Sequence, residues 1–331
     1  MPQFDSEPAA APGASAPPPC TLAALKLQSR WLTQFAANVT SQFGENGIIA
    51  KALSLLPGRN GWCVEFGAGN GVRDSNTFDL VDREDYDVVL IEGHPARFAK
   101  LAAGYPHKNR AHLIQSYVGW SGESRLDSLL LGQTRMPINP DLISIDVDGN
   151  DFHIWSAVVD LRPKLVLIEF NPTMSNSVDF VQPADLKCQQ GSSPSSLVKL
   201  GKEKGYELIA ATEINLLFAD QRYYTLFSIP DNSLELMRDD VPNHISFAYD
   251  GTVILSGDCS LPWHASLRLT PRKVQLLPRM LREGFDDYSI FQKLIFASIL
   301  LWNRNENGWV MIRNAIRKST GRADRERSIS S

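Results

Sequence analysis

The sequence predicts a doubly wound α/β sheet, and three stretches carry that expectation. The first is Trp62–Asn76, WCVEFGAGNGVRDSN, an apolar, β-prone run (Cys63, Val64, Phe66) with Glu65 as its one acid, followed by Gly67, Gly69 and Gly71. Glycine tolerates positive φ and brings no Cβ, so such a loop turns sharply and lets its backbone approach a ligand. A helix expected from about Asp74 would aim free N–H groups and its positive dipole end at that ligand. The second stretch is Val88–Ile91, closed by Glu92, 21 residues after Gly71. An acid there accepts bonds from ribose hydroxyls in nucleotide-binding α/β sheets. The third is Asp141–Trp155, DLISIDVDGNDFHIW, with a strand over Leu142–Ile145 and Asp146, Asp148, Asn150 and Asp151 crowded at its carboxyl end. Open α/β sheets bind ligands outside the carboxyl ends of their strands, so these acids belong on the same rim as Gly67 and Glu92.

Taken in order, residues 1–19 are rich in Pro, Ala and Ser and are expected to be disordered, with neither the basic nor the apolar region of a signal peptide. Apolar residues recur at near-helical spacing from Thr21 to Phe35, and Thr21 suits the N-cap. The polar run Ser41–Ile49, SQFGENGII, leads into a helix ending near Pro57-Gly58, and is either a capped helix start or a binding loop. After the glycine loop, a helix is expected over Ser75–Arg83, then the Val88–Ile91 strand. His94-Pro95 opens a helix over Ala96–Tyr105, and a third strand, Ala111–Ile114, ends at Gln115-Ser116.

Beyond the Leu142–Ile145 strand, Asp151 is placed to cap a helix from Phe152. A fifth strand, Lys164–Ile168, is closed by Glu169-Phe170-Asn171-Pro172, and a helix through Lys204 stops at Gly205. Tyr206–Ala210 and Tyr224–Ile229 read as the last two strands, making seven. Tyr288–Trp302, YSIFQKLIFASILLW, reads as an apolar helix for the core or a subunit interface, with a helix lying on a membrane surface as the alternative. From Arg313 onward six basic residues stand against two acids, the composition of a solvated tail. The organisation expected is a tail over 1–19, a helical segment over 20–60, a cofactor-binding domain over 61–230 and a partly helical extension over 231–331.

The apolar fraction of 43% and charged fraction of 21% are those of a globular protein, and a net charge of −4 gives no reason to expect nucleic acid. The four cysteines form no C-x-x-C pair and Cys63 falls in a buried strand, so reduced thiols in a cytoplasmic setting are expected. No run offers the roughly 20 apolar residues of a transmembrane helix.

Motif chemistry narrows the ligand. The dinucleotide fingerprint G-x-G-x-x-G fails because its third glycine is Val72. An EF-hand fails because the glycine of DVDGND is fourth rather than sixth, and a serine hydrolase fails for want of a G-x-S-x-G elbow. What stands is E-x-G-x-G-x-G (Glu65, Gly67, Gly69, Gly71), which resembles motif I of the class I methyltransferases that use S-adenosylmethionine. The ordered set SQFGENGI, VEFGAGNGVRDSNT, LIEGHP, SIDVDGND and VLIEFNP resembles the FkbM-related group of that class, over roughly Ser41 to Phe227. One departure is that Asp148 stands where the group commonly has Glu.

The resemblance implies a Rossmann-like sheet ending in an antiparallel pair, and O-methylation of a small metabolite or glycan-like acceptor. It implies a cofactor site from Gln42, Glu45, Glu65, Gly67, Ala68, Gly69, Gly71, Asn76, Glu92, Gly93, His94, Ser116 and Asp146. Acceptor chemistry falls to Asp146, Asp148, His153, Glu169 and Asn171, although His153 between Phe152 and Ile154 also suits simple packing. A Mg²⁺ ion on Asp146, Asp148, Glu169 and Asn171 is the variant reading. The alternatives are a module that binds the cofactor without transfer, and an NAD(P)-linked oxidoreductase, which Val72 disfavours. A small-molecule acceptor and a homo-oligomer are the partners expected, ahead of a membrane surface.

Overall fold

The computed structural model describes residues 21–241 and 243–303; the expected tail over 1–19 and the basic run from Arg313 lie outside the described residues. The chain divides at Asp240/Val241 into two compact units. In order, the first unit holds α1 (Leu22–Ser29), α2 (Glu45–Leu55), β1 (Trp62–Phe66), α3 (Phe78–Arg83), β2 (Asp87–Ile91), α4 (Pro95–Gly104), β3 (Ala111–Ile114) and α5 (Leu126–Gln133). It continues with β4 (Leu142–Ile145), α6 (Asp151–Ala157), β5 (Leu165–Glu169), α7 (Pro194–Glu203), β6 (Tyr206–Ala211), β7 (Asn215–Asp220) and α8 (Leu234–Met237).

The seven strands form one sheet in the order β3-β2-β1-β4-β5-β7-β6, the doubly wound fold expected. The first five run parallel, and β7 runs antiparallel to both β5 and β6. Successive residues of β2, β4 and β5 are buried alike, so both faces of the sheet are covered, as continuous apolar strands require. Strand order reverses between β1 and β4, which leaves a crevice at their carboxyl ends.

Three expectations are corrected. The last strand is Asn215–Asp220; Tyr224–Phe227 forms a 3₁₀ turn instead. Asp220 explains the stop, because its buried carboxylate takes the Arg222 N–H and the guanidinium groups of Arg162 and Arg222, ending the strand in a turn. The helix expected from about Asp74 begins only at Phe78, because Ser75, Asn76 and Thr77 are held by Glu65. The N-terminal helix, capped by Thr21 as expected, breaks at Arg30 into a 3₁₀ turn over Trp31–Phe35. There Trp31 Nε1 donates to the Phe227 carbonyl at 2.7 Å and Arg30 to Asp239 at 2.8 Å, which fixes this segment against the stretch that follows β7.

The second unit carries a hairpin of β8 (His244–Phe247) and β9 (Val253–Ser256) and a two-residue pair, β10 (Ser260–Leu261) with β11 (Leu267–Arg268). The short α9 (Pro271–Val274) and then α10 (Ile290–Trp302) follow. Ser289 and Gln292 close a capping box at the start of α10. Of the core, subunit interface or membrane surface expected for this helix, burial in the core does not hold, because Ile290, Phe291, Leu294 and Trp302 are exposed. Among the described residues, no helix is long and apolar enough to cross a membrane.

Candidate functional site

The three glycines after β1 do different work. Gly67 has φ +74°, and a Cβ there would lie 1.9 Å from the Asp146 carbonyl oxygen, so it lets the β1 loop touch the end of β4. Gly71 has φ +77°, and its missing Cβ leaves room for Leu101 of α4 and for Tyr105. Gly69, at φ +56°, faces open space. Its N–H donates to Glu92 Oε2 at 2.9 Å, and the His94 N–H donates to Glu92 Oε1 at 2.7 Å. Glu92, only 4% exposed, therefore ties the end of β2 to the middle of the glycine loop. His94 Nδ1 in turn accepts the Ala96 N–H and caps α4. The Ala68 N–H is spent on the Ile91 carbonyl.

Glu65 is braced inward. Its Oε1 accepts the Asn76 N–H at 2.8 Å, and its Oε2 accepts the hydroxyls of Ser75 and Thr77, each at 2.6 Å. Burial raises its pKa while these three donors oppose the shift. Asn76 Nδ2 reaches Ser144 Oγ at 3.1 Å, linking this turn to β4. Gly93 lies beneath the ring of Tyr117, with Ser116 beside it and its hydroxyl donating to the Tyr117 carbonyl.

The segment before α2 packs on the same turn. Asn46 Oδ1 accepts the N–H groups of Val39, Thr40 and Ser41, and Thr40 Oγ1 donates to the Ser75 carbonyl at 2.8 Å. Glu45, 1% exposed, accepts from Thr212 Oγ1 at 2.7 Å, Asn215 Nδ2 at 3.1 Å and the Phe43 N–H at 2.8 Å. Its carboxylate thus joins α2 to the β6–β7 turn. Gln42 is exposed and contributes its backbone carbonyl to Asn38 Nδ2.

At the carboxyl ends of β4 and β5 the acids converge. One carboxylate oxygen each from Asp146, Asp148 and Glu169 lie within 4.8 Å of one another. Asp146 and Glu169 are partly buried and face each other across this cluster. Desolvation and the mutual repulsion of the cluster push both pKa values up, so the pair holds a proton well above the usual carboxylate range. Asp151 accepts the Val147 and Gly149 N–H groups, both at 2.9 Å, and burial lifts its pKa to about 6. These bonds hold the 147–150 turn, where Asp148 takes φ +56°.

Two expected residues have other partners. Asn171 Oδ1 accepts the Thr173 N–H and hydroxyl, and its Nδ2 donates to the Gln190 carbonyl. His153 Nε2 donates to the Gln182 carbonyl at 2.7 Å, and its ring packs between Trp120 and Phe152. Sequence reasoning missed Gln182 and Arg238. Gln182, 1% exposed, bonds Asn150, Cys188, Gln190 and Gly191, and so shapes the loop above the acids. Arg238 donates to the carbonyls of Pro172 and Met174 and to Asn176, bracing the segment after Glu169. No local pattern marks either, since their partners are up to 66 residues away.

The acid pair gives a pH prediction. A carboxyl group whose folded pKa is raised adds stability below its unfolded pKa and loses it as pH rises through the folded value. Glu169→Gln is therefore expected to raise the melting temperature at pH 8, with the gain shrinking toward pH 5. Thermal melts at the two pH values check this.

A cavity of about 280 Å³ lies at the opposite rim, among Trp155, Val158, Arg162, Lys204 and Tyr206. There Lys204 Nζ is taken up by the Val158 carbonyl, and Arg162 by Asp220 and the carbonyls of Lys204 and Gly205.

The sheet order with a reversed β7, and the glycine loop at the β1/β4 switch, define a doubly wound, Rossmann-like seven-stranded fold. No protein-family model matches the chain, and no curated protein matches it. Among solved structures, it is similar to the glycopeptide N-methyltransferase MtfA complexed with S-adenosylmethionine, at 16% identity and a TM-score of 0.34 over 53% of this chain and 92% of that one. It is similar to the CurJ carbon methyltransferase at 13% identity and a TM-score of 0.38, over 58% of each chain. A third is M. jannaschii TYW2 in complex with AdoMet, at 15% identity and a TM-score of 0.32, over 53% of this chain and 74% of that one.

Proposed function

We infer that the chain is a methyltransferase using S-adenosylmethionine, related to the FkbM group and directed at an oxygen of a small metabolite or glycan-like acceptor. One observation carries the reading: β2 delivers the buried Glu92 carboxylate to the N–H of Gly69, the loop glycine with open space before it, at the strand-order switch. That cradle fits a nucleoside. Two oxygens of Glu92 are anchored by backbone donors and keep lone pairs for vicinal ribose hydroxyls. Gly67 and Gly69 offer backbone without side chains, and the turn held by Asn46, docked on Ser75, would bring Gln42 over the methionine end of the cofactor and exclude water there. Glu65 holds the turn after the loop through Ser75, Asn76 and Thr77, and so steadies the cradle.

S-adenosylmethionine, when bound, supplies an electrophilic methyl group on a sulfonium. A hydroxyl acceptor must lose its proton as it attacks, and the Asp146–Glu169 pair, with its raised affinity for a proton, is placed to take it. Asp148, exposed at the rim, holds the acceptor. The carboxylate trio is also a donor set suited to Mg²⁺.

Calorimetry with S-adenosylhomocysteine and with NAD tests the class, and binding of NAD alone would overturn it. Glu92→Ala is expected to weaken S-adenosylhomocysteine by about 1–3 kcal/mol, the cost of losing bonds to a charged group. Unchanged affinity in a folded variant places the ribose elsewhere.

A further inference from the structure

We propose that the outer side of α10 is a docking surface for an anionic membrane, on which the helix lies flat. The inference rests on the second unit alone and is independent of the reading of the site.

Globular helices turn polar residues outward. α10 does the reverse. Its inner side is anchored, with Phe296 packed against Phe285 and Tyr288, Ala297 fully buried, and Gln292 Nε2 donating to the Met280 carbonyl at 2.7 Å. The outer side is a stripe of Phe291, Leu294, Ser298 and Trp302, spaced three, four and four residues apart, with Ile290 alongside. Phe291 is 67% exposed and Trp302 79% exposed. Over its 13 residues α10 is about 20 Å long, too short to span a bilayer yet long enough to lie in its interface.

Charge selects the occupant. Residues 241–331 carry thirteen Lys and Arg against eight Asp and Glu, whereas residues 1–240 carry twenty against twenty-nine. The overall charge of −4 thus hides a basic end on an acidic body. Seven of those thirteen cations follow α10 in sequence, from Arg304 to Arg327. An apolar stripe ending in a tryptophan and continued by basic chain matches an interface of acyl chains and anionic headgroups. Lone electrostatic attraction or a lone apolar stripe binds lipid weakly; the two together hold.

The test is sedimentation of the full chain with vesicles of phosphatidylcholine, with and without phosphatidylglycerol. The wild type is expected to pellet with the anionic vesicles and to be released as salt rises. The double variant F291E/L294E is expected to lose at least about tenfold in partitioning, because charges replace buried apolar groups. R313E/R317E/K318E is expected to abolish the preference for phosphatidylglycerol. Both helix positions are exposed, so circular dichroism and melting should match the wild type; W302A gives a milder loss and guards against a folding artefact. Equal partitioning of wild type and F291E/L294E would overturn the proposal. So would light scattering that shows a wild-type dimer and a monomeric F291E/L294E with neither bound to vesicles, since the stripe would then join two copies.

Discussion

Gly67→Val is expected to abolish cofactor binding and to destabilise the first unit by at least about 3 kcal/mol, through a left-handed backbone forced on a branched residue and overpacking against β4. The second cause is geometric. A Cβ at this position would sit 1.9 Å from the Asp146 carbonyl oxygen, and a backbone atom cannot swing aside as a side chain can. Relief would require the β1 loop and the end of β4 to part, which pulls Gly69 from Glu92 and Asp146 from Glu169 together. Gly69→Ala is the control, because that residue faces open space and keeps only the strain of φ +56°, about 1–2 kcal/mol. Urea denaturation of both variants measures the difference. Equal effects would show that strain alone, and not the contact with β4, sets the demand for glycine.

Asp141→Ala is expected to cost about 3–5 kcal/mol, the range for stranding one member of a buried ion pair. Asp141 is fully buried just before β4, where it accepts Lys164 Nζ at 2.7 Å and the N–H groups of Asn60 and Gly61. Lys164, 2% exposed, also donates to the Gly58 carbonyl at 2.6 Å. Removing the carboxylate leaves an ammonium group in the interior and two backbone donors without partners. Adding Lys164→Met should recover part of the loss, because it removes the stranded charge. Denaturant midpoints of the single and double variants check the sign.

How far the sequence could be read depended on the range of the interactions. The strands β1, β2, β3, β4 and β5 were legible within about a residue, because each is a short apolar run bounded by polar or glycine residues. β7 was missed because the hairpin turn Thr212-Glu213-Ile214 contains no glycine, proline or asparagine to mark it, so strand and turn run together. The crowding of acids after β4 was legible, but not that Asp146 pairs with Glu169 while Asp151 turns back on its own loop. Those pairings depend on sheet register, which no local pattern encodes. For the same reason Glu45 read as a ligand-facing acid, although its partners Thr212 and Asn215 lie up to 170 residues away.

That distance bears on how the molecule is made. The turn held by Asn46 docks on Ser75 early in the chain, yet Glu45 has only the Phe43 N–H beside it until Thr212 and Asn215 arrive. Trp31 likewise waits for the carbonyl of Phe227. During synthesis from the N-terminus, β1 to β5 can therefore assemble on the ribosome before the β6–β7 turn reaches Glu45. The carboxyl-end rim of the sheet is complete only when the antiparallel hairpin, the last part of the sheet to emerge, folds back and locks the first.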